Sequence, residues 1–194
     1  MKIILASKSG IRKEILQKHK IDCDVVHSNV DEDQTKDSLI NAGANPLLVS
    51  KNLAELKSIK VSNKFQERIV LGADSVISLK DELINKPKNR EEALIILKKL
   101  NGTVHYLISS VCISKNGSMI WNHSESSELR MKNLKEEELK KYLSKIPTKT
   151  LLAYGVYQVE ADGLELFEYI KGDLDSIMGL PIKDIINYIN QYNK

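Results

Sequence analysis

Three stretches of this chain carry charged or hydroxyl side chains in patterns suited to a polyanion. The first, Ala6-Ser7-Lys8-Ser9-Gly10-Ile11-Arg12-Lys13, gathers two hydroxyls, a glycine and three cations directly behind an apolar run. If the run is a strand and a helix follows, the first-turn N–H groups and the positive helix end make the junction a phosphate seat. Serine caps followed by solvated cations would leave the same residues. The second stretch, Gly72-Ala73-Asp74-Ser75, interrupts an apolar run with small residues around a carboxylate. A carboxylate held there could hold a metal ion or polarise water, or could simply cap a turn. The third is Lys86-Pro87, where proline fixes the chain just after a cation able to neutralise phosphate.

Other chemistries find less support. The chain has neither GxxxxGK[ST] nor GxGxxG, so the common nucleotide-loop motifs are absent. His19, His27, His105 and His123 show no HxxxH or related spacing, which argues against a histidine-based zinc site. GxSxG is missing as well, and with it the usual serine-hydrolase turn. Cys23 and Cys112 stand alone in apolar, strand-like runs and read as buried thiols. Glu32 in Asp31-Glu32-Asp33 and Glu160 in Val159-Glu160-Ala161 read, taken singly, as solvated carboxylates.

The elements that must position these groups follow from periodicity. Met1 to Ala6 reads as a strand, and Ile11, Ile15 and Leu16 as one face of a helix with Ser9 at its N-cap. Ile21 to His27 reads as a second strand, and 28–44 as an acidic loop or flap. Beyond Asn45-Pro46, the residues Leu47, Leu48, Leu53, Leu56 and Ile59 predict a helix to about Val61. Arg68 to Leu79 gives the strongest strand signal, broken at Gly72-Ala73-Asp74. Asn89 caps a helix that Asn101-Gly102 closes, and Lys115-Asn116-Gly117 joins Val104–Ser114 to Ser118–Trp121 as a hairpin. A short helix over Leu134 to Leu143, two strand-like stretches within Val156 to Ile170, and a helix over Ile182 to Tyr192 complete the pattern. Irregular alternation with a hairpin predicts an α/β fold with a mixed twisted sheet, the hairpin and the helix from Leu134 forming a smaller lobe. A single domain over 1–194 is the simplest organisation.

Composition narrows the classes. With 194 residues and 42% apolar content, the chain can bury a core, so disorder is not expected. The 29 Lys and Arg against 26 Asp and Glu are dispersed, and aromatics make up 5%, so a nucleic-acid surface is not expected. No apolar run is long enough to span a membrane, and the opening MKIILAS turns polar too soon for a secretion signal. These features predict a cytoplasmic protein.

Taken in order, the fragments resemble the Maf family of nucleotide pyrophosphatases along nearly the whole chain. Leu5 to Arg12 resembles the family's LASxSPRR, Val30-Asp31-Glu32 its VDE, Leu53-Ala54 with Lys57 its LAxxKA, Gly72 to Ser75 its GAD[ST] and Lys86-Pro87 its GKP. Glu92-Ala93 through His105 resembles EEAxxxLxxLSGxxH, and Gly155 through Gly163, Gly172 and Gly179-Leu180-Pro181 resemble the closing AGxYxxxGxG, G and GLP. The resemblance implies a Maf/ITPase-like fold with two lobes around a central cleft. It implies hydrolysis of nucleoside triphosphates to monophosphate and pyrophosphate with a divalent cation, Mg2+ or Mn2+, in a role such as clearing non-standard nucleotides. A nucleotide-binding regulator of septation without turnover is the alternative, and a homodimer is compatible with either. By the same resemblance, Asp74 activates water, Glu32 and Asp74 place the metal, and Ser7, Ser9 and Arg12 hold phosphates. Lys57 and Lys86 neutralise the triphosphate. The chain departs from the pattern at Gly10 and Ile11, which stand for Pro and the first Arg of SPRR, and at Glu160, which replaces a Gln of the dTTP- and UTP-selective branch. An ionised Glu160 accepts without donating, which suits the N–H edge of a guanine better than a pyrimidine.

Overall fold

The computed structural model describes residues 2–159 and 161–192. Glu160, to which base recognition was assigned above, therefore lies outside the described residues. Among the described residues, seven strands form one mixed sheet flanked by eight helices. The expected α/β class with a mixed sheet is the observed one.

The sheet is built around one strand. β3 (Val70–Leu79) pairs in parallel with β1 (Ile3–Ala6), which in turn pairs in parallel with the edge strand β2 (Cys23–Val25). On its other edge β3 runs antiparallel to β5 (Val104–Lys115), followed by β6 (Ser118–Met131) and β7 (Phe167–Lys171). The short β4 (Glu82–Ile84) folds back on the end of β3. β1 and β4 share the same partner at different places: Ala6 aligns with Gly72, whereas Ile84 aligns with Ile77. Between those contacts, Ala73 to Val76 pair with β5 but with neither β1 nor β4. The sheet is forked there, and the chains leaving β1 and β4 splay apart around Asp74.

Helix α3 (Pro46–Ser62) crosses the face of β3 at close range. It starts at Asn45, whose side chain accepts from Leu48 N–H at 2.9 Å, with proline in the first turn. Its buried face is built from Ser50, Leu53, Ala54, Lys57, Ser58 and Val61, while Leu47, Leu48 and Leu56 are exposed. Small residues at that spacing let the helix backbone descend onto Gly72. A Cβ at Gly72 would lie 2.2 Å from the Ala54 carbonyl oxygen and 2.7 Å from Ser58 N. Ser58 and Ser114 hydroxyls, 2.8 Å apart, tie the same helix to β5.

The remaining helices close two cores. One core joins β1 and β3 to α1 (Gly10–Lys18) and α8 (Ile182–Tyr192) through Ile3, Leu5, Ile15, Leu16, Leu180 and Ile185. The other gathers α4 (Arg90–Leu100), α5 (Glu136–Lys145) and α6 (Thr148–Tyr154) with the far ends of β5 and β6 around Leu97, Leu129 and Leu139. The cleft lies between these two cores, as the two-lobe expectation required. His105 is fully buried in the second core with its Nε2 3.1 Å from the Tyr157 hydroxyl, and burial pushes its pKa down to about 4, so the ring is neutral. No helix among the described residues is long and apolar enough to cross a membrane.

Four expectations need correction. Residues 28–44 are not an open loop: α2 (Glu32–Asn41) occupies most of them, capped by Asp31, whose carboxylate accepts from Gln34 N–H at 3.0 Å. That helix buries no residue, so it has no apolar stripe to reveal it. β3 is continuous through Gly72-Ala73-Asp74, because the small residues mark a helix crossing and not a break. β6 extends to Met131, ten residues beyond Trp121. Within Val156 to Ile170 the strand begins only at Phe167, after a 3-10 turn over Asp162–Leu166.

The approach of α3 to β3 yields a direct expectation. Gly72→Ala would drive a methyl group into backbone atoms that cannot rotate away, costing about 1–3 kcal/mol or more. Urea unfolding should show a lower midpoint for the variant; an unchanged midpoint would contradict the close contact.

Candidate active site

The forked edge of β3 opens into a cleft of about 390 Å³, lined by charged and hydroxyl side chains from five segments. Ser7, Ser9 and Arg12 come from the turn between β1 and α1, and Glu32 and Lys36 from the first turns of α2. Lys57 comes from α3, Asp74 and Ser75 from β3, and Lys86 from the chain after β4. Because strand residues alternate, Gly72 and Asp74 share the face that α3 covers, and Ala73 and Ser75 share the face of α1.

Lys57 is the electrostatic centre. It is buried, with its ammonium 2.8 Å from Asp74 Oδ1 and 2.9 Å from Glu32 Oε1. A lysine is tolerated at that depth because both carboxylates neutralise it; removing one partner of such a pair typically costs about 3–5 kcal/mol. Asp74 is 5% exposed, and its Oδ2 has no hydrogen-bond partner among the described residues. Glu32 is half exposed; burial opposes its ionisation, but the charge and hydrogen bond of Lys57, helped by Lys36 and Lys86, hold its pKa below the usual carboxylate value.

Arg12 binds the cleft wall together. Its Nε donates to the Gly179 carbonyl at 2.9 Å, Nη1 to the Ala73 carbonyl at 2.9 Å and Ser7 Oγ at 3.2 Å, and Nη2 to Ser75 Oγ at 3.1 Å. Four of its five N–H donors thus join the β1–α1 turn, the unpaired stretch of β3 and the turn before α8. Desolvation lowers its pKa, with Asp74 and Glu32 opposing, but a guanidinium begins so high that it stays charged. Ser9 occupies the N-cap of α1, yet its side chain makes no capping bond, and its own N–H donates to Ser7 Oγ at 3.2 Å. Across the cleft, Lys86 donates to the Ala153 carbonyl at 2.7 Å. One side of Lys86 faces solvent, but desolvation by the surrounding wall lowers its pKa and Arg12 adds to that, against Glu32 and Asp74.

Among the described lining residues Lys8, Arg12, Lys36, Lys57 and Lys86 are cationic, against Glu32 and Asp74. A pocket with that imbalance and one half-satisfied buried carboxylate suits a phosphate chain better than any neutral ligand.

The family model described as Maf-like protein matches residues 2–192. This chain belongs to the Maf family. A nucleoside triphosphate pyrophosphatase of Pelagibacter ubique (strain HTCC1062) is 58% identical over 187 residues, 96% of each chain. A 7-methyl-GTP pyrophosphatase of Rhizobium etli is 34% identical over 98% of this chain and 96% of its own. A HAM1 protein structure from Coxiella burnetii aligns with 69% of this chain and 74% of its own at 12% identity, with a TM-score of 0.48.

In this Maf chain the expected site residues Ser7, Ser9, Arg12, Glu32, Lys57, Asp74 and Lys86 all line one cleft, though they come from five separate segments. Lys36, Ser75 and Gln158 line it too and were not singled out from sequence. Lys36 stands one helical turn beyond Glu32, a relation visible only once α2 is recognised as a helix. Gln158 is held by its Nε2 donating to the Gly155 carbonyl at 3.1 Å. The donor set fits a hard divalent cation: the unpartnered Asp74 Oδ2 and the carboxylate of Glu32 are oxygen ligands of the kind Mg2+ and Mn2+ take.

Arg12 and Ser9 can be separated by mutation. Arg12→Lys cannot reproduce a fork to three segments and should lose about 2–4 kcal/mol of stability, hydrogen bonds to a charged group being worth about 1.5–3 each. Ser9→Ala removes no capping bond and should change stability by less than about 0.5 kcal/mol. Denaturant unfolding of both variants checks the pair; equal losses would contradict the bonding described.

Proposed function

We propose that this Maf protein hydrolyses nucleoside triphosphates to nucleoside monophosphate and pyrophosphate, acting in the cytoplasm as a single domain over residues 1–194. The observation that carries the reading is the buried, half-satisfied carboxylate of Asp74, set among cations at the fork of the sheet. The names of the relatives support the same reaction.

In this reading the triphosphate lies along the cations of the cleft. Ser7, Ser9 and the first-turn amides of α1 meet phosphate oxygens, and the remaining Arg12 donor contributes there. Asp74 orients a water molecule and accepts its proton as the water oxygen attacks the α phosphorus. The bridge P–O bond breaks, and pyrophosphate leaves with the bonding electrons. Lys86 and Lys57 offset the charge that grows on it. A divalent cation, Mg2+ or Mn2+, held by Glu32 and Asp74 would supply further charge neutralisation. Lys57 holds the two carboxylates in place in the free protein, and its charge and hydrogen bond favour the ionised form of Glu32.

The base is read, on this account, by Glu160, with Ile11 removing a donor available in other branches. Ionised Glu160 accepts from the N–H edge of guanine, whereas a pyrimidine of the dTTP or UTP type offers one N–H between two carbonyl oxygens. Several relatives at about a third identity are named 7-methyl-GTP pyrophosphatases, which supports a guanine-type nucleotide.

Two measurements test the reading. Asp74→Asn should lower kcat by about a hundred- to ten-thousandfold while nucleotide affinity and fold persist, the range typical of a positioned acid–base group. A variant keeping more than about a tenth of the wild-type rate would remove Asp74 from the central role. Glu160→Gln should shift kcat/KM toward dTTP and UTP relative to GTP and 7-methyl-GTP. A wild type that already prefers dTTP or UTP, or an unchanged ratio in the variant, would contradict the base assignment.

A further inference from the structure

We infer that His123, Glu125 and Asp184 form a binding site for a divalent ion of the zinc class, separate from the cleft. His123 and Glu125 stand two residues apart on β6 and so share one face of the strand, and Asp184 comes from the first turn of α8. One ligand atom from each lies within 4.8 Å of the others, and none of the three residues lines the cleft. Linear spacing gave no sign of this trio, because α8 supplies its third member.

The ligands are oriented from outside the trio. Ser176, from α7 (Leu174–Ile177), donates to Glu125 Oε2 at 2.7 Å and leaves the other oxygen for an ion. Trp121 lies nearly parallel to the His123 ring, at 9°, and is stacked in turn on Tyr188 with centroids 4.9 Å apart. Supports of this kind fix ring and carboxylate orientation in metal sites. The charge balance leaves room for a cation. Lys183, the nearest lysine in sequence, pairs with Asp173, although its charge also acts on Glu125. The His123 Nε2 to Asp184 Oδ2 distance of 3.4 Å is longer than a charge-assisted hydrogen bond, so Glu125 and Asp184 share one lysine already engaged elsewhere.

One imidazole nitrogen with two carboxylate oxygens is a mixed set that suits zinc, whereas Mg2+ and Ca2+ favour oxygen alone. Three protein ligands leave a fourth position for water. The half-exposed side chains must draw together by about 1 Å to reach tetrahedral ligand spacing. A bound ion would brace β6 against α8 and the corner at Gly179 that accepts from Arg12.

The test uses the untagged full chain carrying Glu32→Gln, which removes one cleft carboxylate while Asp74 stays to neutralise Lys57. Calorimetric titration with Zn2+ should show one equivalent bound, with affinity lowered at least about tenfold by His123→Ala or Asp184→Asn. Saturating Zn2+ should raise the melting temperature of the parent and not of the His123 variant. Co2+ should give a visible absorption band that His123→Ala abolishes. Should His123→Ala melt lower than the parent without metal, His123→Gln takes its place. Absence of binding to the parent, or equal binding to the His123 variants, would overturn the site; neither result bears on nucleotide hydrolysis.

Discussion

The arrangement of the whole molecule depends on one stretch of backbone, Ala73 to Val76, which is paired on one edge and unpaired on the other. An open strand edge inside a protein is costly unless its polar groups find partners. Arg12 answers that need by donating to the Ala73 carbonyl, and the same side chain reaches Ser7, Ser75 and Gly179. The fork keeps β1 and β4 apart, and so holds apart the turns that carry Ser7, Ser9 and Lys86. A continuous sheet would bury Asp74 under a neighbouring strand and leave no room for a ligand.

The second constraint is the nearness of α3. Gly72, Ala54 and Ser58 bring helix and strand into backbone contact, which sets Lys57 at hydrogen-bonding distance from Asp74. With Glu32 on the other side, the ammonium and two carboxylates pair at a depth where each charge alone would be expensive. Packing and electrostatics therefore act through the same residues.

The sequence made much of this legible. Terminal helix α8, the Asn89 cap, the helix beyond Asn45-Pro46 and the hairpin at Asn116-Gly117 rest on local signals, and each of these elements is present. Asp74 stood out because a carboxylate in an apolar strand demands a reason, but the small residues beside it register a helix crossing, which no local pattern distinguishes from a strand break. The buried face of α3 was not legible for a related reason. Its leucines at 47, 48 and 56 face outward while serines and Lys57 face inward, an inversion that follows from close packing and from a charge with partners. Lys57 entered through resemblance alone, although a lysine amid Ser50, Ala54 and Ser58 at helical spacing is a signal in itself. α2 was missed because it buries nothing, and with it Lys36. The trio of His123, Glu125 and Asp184 joins segments that only the tertiary fold brings together.

The central claim is that this fork of the sheet positions water at the α–β bridge of a nucleoside triphosphate. Phosphorus NMR of the products formed from 7-methyl-GTP, GTP or dTTP with Mg2+ tests it most directly. The account predicts nucleoside monophosphate and pyrophosphate in equal amounts from whichever nucleotide turns over. Nucleoside diphosphate with orthophosphate, or binding of every nucleotide without product, would contradict it.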